Sequence, residues 1–203
     1  MRNFFKELFK SNRYHIPRNW NEVTLGQMVD FQDEAQLNMY FPDADEHERF
    51  AYEVSVLSGL PLEIVLAMKG SDFQALKASF EWANTLPKVP QISSVRINGT
   101  KYGIKQEFTE EQIGKYVSFH IRSELEDLQN RYLRNDFSAV LRMLAIVCHE
   151  MGTHYVDTQV RLSEREDVMR KISVVQALGL LDFFLLHYTK LTKTSPLLLN
   201  QQA

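Results

Sequence analysis

Two stretches of the chain echo one another: Ser71–Trp82 (SDFQALKASFEW) and Ser173–Phe184 (SVVQALGLLDFF) share an opening serine, the step QAL and an aromatic end. Two further echoes fall in the same order, Leu25–Phe31 (LGQMVDF) with Ile113–Phe119 (IGKYVSF), and more loosely Val54–Leu57 (VSVL) with Leu144–Val147 (LAIV). Pro61–Lys69 lines up with Ser163–Lys171 just ahead of the first pair. Collinear self-similarity predicts a mainly α fold made of two similar small helical bundles, an internal duplication. A repeated helical unit generally presents a surface for partners rather than a catalytic cleft.

Punctuation between apolar runs sets the helices. Thr24 is a good N-cap for a helix over 25–38, whose apolar positions Leu25, Met28, Val29, Phe31 and Leu37 share one face. Asp43 with Glu46 three residues on has the capping-box pattern for a second helix reaching Ser58. Gly59 closes it, and Pro61 suits the first position of the next helix, which Gly70 ends. Ser71 then caps a helix carrying Phe73, Leu76, Phe80 and Trp82. In the back half, Thr109 with Gln112 opens a helix, 119–130 is helical and charge-rich, and Asp136 caps an apolar helix running to Met151. Ser163 with Glu166 opens a short helix, and Ser173 opens a last one over 174–191.

Between the halves the helical signal stops. Leu86–Pro90 (LPKVP) is a stiff connector, and Asn98-Gly99 flanked by Val95–Ile97 and Lys101–Ile104 is a strong hairpin signal. Two strands alone are barely stable in water, so the hairpin must lie on helices or pair through a free edge. The expected organisation is a basic aromatic leader over 1–19, helical repeat 1 over 20–90 and a hairpin connector over 91–106. Helical repeat 2 over 107–191 and a mobile tail over 192–203 complete it.

The formal net charge is −3 across 203 residues, which gives no bulk electrostatic drive toward nucleic acid. The N-terminal residues lack a signal-peptide pattern, and the apolar run 177–186 is interrupted by Asp182 and too short to span a bilayer. No membrane association is expected. A single cysteine, Cys148, excludes an intrachain disulfide and reads as a buried, inert thiol.

Catalytic constellations are poor. His149-Glu150 and His154 resemble a zinc-protease motif, but the histidines are five apart instead of four, which turns them off a shared helical face. Asp43, Asp45, Glu46 and Glu48 lack the glycine and alternating oxygens of a calcium loop and suit helix capping better. No nucleophile elbow, phosphate loop or dinucleotide fingerprint occurs. No enzyme activity, metal or cofactor is expected. Aromatic side chains at the ends of elements are the better lead, and the candidate partner-binding residues are Phe4, Phe5, Phe9, Tyr40, Phe41, Trp82, Phe183 and Phe184.

The order of segments resembles the helical tail assembly chaperones of tailed bacteriophages. The features that match are Ile16-Pro17, Trp20 and 21–26 (NEVTLG), then 57–63 (LSGLPLE), and the hairpin with Ile97, Asn98, Gly99, Tyr102 and Gly103. Tyr155 with Asp157, Glu164-Arg165, and an apolar last helix ending in Phe183-Phe184 complete the set. The resemblance implies a non-enzymatic protein of the infected host's cytoplasm that binds the tape-measure protein and tail-tube protein, with self-association possible. A minor virion component, such as a tail-completion or neck protein, is the alternative. The family supplies no catalytic or metal residues to carry over.

Overall fold

The computed structural model describes residues 14–32, 42–85, 87–104, 119–152 and 162–194. The leader residues Phe4, Phe5 and Phe9, the pair Tyr40 and Phe41, the expected cap Thr109, His154 and the tail 195–203 lie outside these. Among the described residues there are eight α-helices and one small antiparallel sheet, so the fold is mainly helical. The chain divides into two compact units, Met1–Pro87 and Lys88–Ala203.

The first unit contains α1 (Leu25–Phe31), α2 (Glu46–Ser58), α3 (Leu62–Leu66), α4 (Gly70–Ser79) and a 3-10 helix (Glu81–Asn84). Thr24 caps α1 as expected, in a full capping box: its hydroxyl accepts from the Gln27 amide while the Gln27 carboxamide oxygen accepts from the Thr24 amide. The Gln27 amide group then reaches the Leu57 carbonyl at 3.0 Å, so one side chain ties the start of α1 to the end of α2. α1 is described over Leu25–Phe31, and the remainder of the expected helix, 33–38, lies outside the described residues. α2 is capped by Asp45 with Glu48, not by Asp43 with Glu46. Both pairs have the required spacing, and the chain uses the later one. Gly59 ends α2 in the left-handed region at φ 70°, where glycine has no steric penalty.

Two expected boundaries move. Pro61 is the N-cap of α3 instead of its first residue, and Gly70 begins α4 instead of ending α3. The cap of α4 is therefore Lys69, and Ser71 lies inside the helix without a capping bond. The core of this unit gathers Val23, Leu25, Ala51, Val54, Leu60, Val65 and Leu76, all essentially without exposure.

In the second unit β1 (Ser94–Ile97) and β2 (Thr100–Gly103) form the expected hairpin, with Ile97 opposite Thr100. Asn98 at φ 49° and Gly99 at φ 85° fill the two left-handed positions that such a two-residue turn requires. β2 pairs on its other side with β3 (His149–Glu150), Gly103 opposite His149, so 94–103 belong to this unit's sheet. The helices are α5 (Phe119–Tyr132), α6 (Phe137–Val147), α7 (Leu162–Met169) and α8 (Val174–Thr194).

α6 is the hub, packing against α5, α7 and α8. Phe137, Ala139–Leu141 and Met143–Val147 are all buried, the all-round apolar pattern of a central helix. Asp136 caps it, accepting from the Ser138 and Ala139 amides. Burial pushes the Asp136 carboxyl pKa up, but the Ser138 hydroxyl, the Arg131 guanidinium and the Ala139 amide outweigh it and hold it below the usual value. The charged residue within the hub, Arg142, is half-buried and bridges Glu124 of α5 at 2.8 Å and Glu166 of α7 at 2.9 Å, clamping three helices. α6 ends at Val147, four residues before the expected Met151, because His149-Glu150 are drawn into the sheet. Ser173 caps α8 in a reciprocal pair with Gln176.

Candidate functional site

The spacing of aromatic residues on α2 and α4 builds the most distinctive surface of the first unit. Along α2, Glu46, His47, Phe50 and Glu53 recur at intervals of three and four; along α4 and its cap, Phe73, Leu76, Lys77 and Phe80 do the same. Each helix therefore has one face bearing rings and charges together. Where the faces meet, the rings form a continuous series. His47 stacks on Phe73 at 4.0 Å between ring centres, and Phe73 meets Phe50 edge-on at 5.3 Å. Phe50 meets Phe80 at 6.2 Å, Phe80 meets Trp82 at 5.8 Å, and Trp82 meets Trp20 edge-on at 5.0 Å. Edge-to-face pairs add about 0.5–1.5 kcal/mol each beyond the area they bury.

The series is anchored inside and open at intervals. Phe73, Phe80 and Trp20 are buried, Phe50 and Trp82 are half-buried, and His47 is exposed. The Trp20 indole donates to the Thr85 carbonyl at 2.7 Å. The Trp82 indole nitrogen is buried and has no hydrogen-bond partner among the described residues. Charges rim the rings. The Lys77 ammonium sits 5.9 Å above the Phe50 ring centre and 2.8 Å from a Glu46 carboxylate oxygen. That contact holds the Glu46 carboxyl pKa below the usual value. Glu53 is different: burial pushes its carboxyl pKa up, and Lys77 and Arg49 only partly oppose this.

The structure places Trp82 within this series, as a half-buried member. Phe183 and Phe184 are on α8 in the other unit, where Phe184 is 8% exposed and part of the core. Phe183 is half-buried and lies against His187, with centres 4.2 Å apart, while His187 Nδ1 is 2.8 Å from the Phe183 carbonyl oxygen. Adjacent positions on a helix point about 100° apart, which is why one phenylalanine is core and its neighbour is at the surface. Sequence reading put Phe73 and Phe80 on one helix with Trp82, but it missed His47 and Phe50 as members of the same ring series. Their three-and-four spacing was available, but the pairing of the two helical faces was not.

For chemistry the described residues offer little. His149 is buried on β3, and no group of three or more His, Cys, Asp or Glu is placed to hold a metal among the described residues. Cys148 is fully buried, and that burial pushes its thiol pKa up to about 12, so it holds its proton at neutral pH. No described helix is long and apolar enough to cross a membrane. What the ring series can do is pack: it combines rigid aromatic faces, a buried indole N–H and an ion pair at the rim, the composition found at protein-binding surfaces. Compared with known proteins, the chain matches no protein family, no curated relative and no solved structure.

Proposed function

We propose that this chain is a non-enzymatic tail assembly chaperone of a tailed bacteriophage, which binds the tape-measure protein and aids assembly of the tail tube in the host cytoplasm. The observation that carries the reading is the part-open ring series from His47 through Phe50 to Trp82 on a helical scaffold. A long amphipathic client presents apolar side chains at three-and-four spacing, and half-buried rings flanked by Lys77 and Glu46 suit such a stripe. Individually weak contacts repeated along an elongated client add up through avidity.

Internal duplication belongs to the same proposal. In each unit a longer helix (α2, α6) precedes a short one (α3, α7) and then a third (α4, α8), in the order of the sequence echoes. The echoing serines differ in role, since Ser173 caps its helix and Ser71 does not. Divergence after duplication accounts for that difference, as it does for β3, which among the described residues falls only in the second series.

The test is co-expression with the tape-measure protein. The intact chain is expected to keep that client soluble and to co-purify with it. Phe50→Asp, which places a charge in the middle of the ring series, is expected to lose most of this protection while the tryptophan fluorescence of the fold persists. A client that stays equally insoluble with or without the chain refutes the proposal. Mass spectrometry of purified particles that finds the chain at fixed copy number assigns it instead to a minor virion component.

A further inference from the structure

Between Pro87 and β1 the chain runs without regular structure and crosses the last helix of its own unit at Gly179. A Cβ at Gly179 would lie 2.5 Å from the Pro90 carbonyl oxygen, 3.0 Å from Ile92 Cγ1 and 3.4 Å from Val89 Cγ1. The Ile92 amide donates to the Gly179 carbonyl at 3.3 Å. Gly179 has no left-handed backbone that would call for glycine, and glycine within a helix is worse than alanine. Close approach of 89–92 is what the missing side chain permits.

The hold on this segment is slight. Lys88, Pro90 and Gln91 are exposed, Val89 and Ile92 are only half-buried, and the bond from Ile92 is long. Pro87 and Pro90 have no amide hydrogen to donate, so the segment cannot join the sheet as a regular strand. Firm structure begins on either side of it. Thr85 is held by the Trp20 indole within the first unit, and Ser93 accepts from the Ile104 amide at 2.9 Å within the second.

We propose that residues 89–92 are a releasable strap, seated on α8 by the absent side chain of Gly179, and that its release frees the chain ahead of β1 from that helix. Each released residue adds up to about 3.3 Å of reach, and the two prolines keep the freed segment extended.

Limited trypsin digestion of the full chain reads the strap directly. Cleavage after Lys88 needs the following residues free to enter the protease, and the seated strap withholds Val89–Ile92. Gly179→Ala, which crowds the Pro90 carbonyl yet favours the helix, is expected to speed cleavage after Lys88 by about tenfold with helical content kept. Ile92→Ser weakens the strap while leaving every residue of α8 unaltered and is expected to act in the same direction, so the test survives if the first variant misfolds. Equal cleavage rates after Lys88 in the intact chain and both variants overturn the strap. So does acceleration in Gly179→Ala that comes with cuts inside α8 while Ile92→Ser behaves as the unaltered chain.

Discussion

Glu53 lies one turn beyond Phe50 on α2, where burial raises its carboxyl pKa against the partial opposition of Lys77 and Arg49. A raised folded-state pKa means the folded protein holds that proton more tightly than the unfolded chain. Stability is therefore lost as pH rises from the ordinary glutamate range through the raised value. Glu53→Gln is expected to raise the melting temperature at pH 7, with the gain shrinking to nothing as pH falls below the ordinary glutamate value. Equal melting temperatures at pH 7 would remove this account of Glu53. Asp136 has the opposite sign: its lowered carboxyl pKa supplies stability at neutral pH that disappears on acidification. At this scale much was legible. Thr24 with Gln27, Asp136, Ser173 and Gly59 were all readable as caps because donor and acceptor lie within four residues of each other. Asp43 and Asp45 show the limit, since two overlapping pairs satisfy the same local rule.

Elements meet at two glycines of the hairpin that serve different physical ends. Gly99 sits in the left-handed turn at φ 85° with open space around it, so a side chain there is strained by backbone conformation alone. Gly103 has no such φ, but a Cβ on it would lie 2.7 Å from the Ser93 carbonyl oxygen and 2.9 Å from Ser94 Cβ. Gly99→Ala is expected to cost about 1–2 kcal/mol. Gly103→Ala is expected to cost more, because backbone and sheet register have to shift, not one turn. Denaturant midpoints followed by circular dichroism give the order, and a larger loss at Gly99 would reverse this assignment. Only the first of these glycines could be read from sequence. The Asn98-Gly99 pair is a local signal, whereas the need for a bare Gly103 comes from a neighbouring segment. Likewise β3 was read as the end of a helix, since its partners Tyr102 and Gly103 lie far away along the chain. Gly70 misled for the converse reason: glycine tolerates many conformations, and here it starts a helix.

Across the whole molecule the two compact units can be followed separately, because Trp20 and Trp82 both belong to the first. Leu144 is fully buried in the α6 hub of the second. Leu144→Ala is expected to destabilise that unit by about 2–5 kcal/mol through lost burial and the cavity left behind. A transition in the far-ultraviolet dichroism should therefore move to lower temperature while the tryptophan fluorescence midpoint stays in place. Both signals shifting together would mean that the units unfold as one. Sequence alone determined that the chain is mainly helical, where α1, α6 and α8 begin, and that a tight hairpin interrupts the helices. Each of those depends on interactions spanning only a few residues. Tertiary structure decided that the hairpin is completed by β3, that Phe184 is core while Phe183 remains at the surface, and that His47, Phe50, Phe73, Phe80 and Trp82 form one ring series. Those outcomes depend on which faces meet, and a face acquires its partner only when distant segments pack.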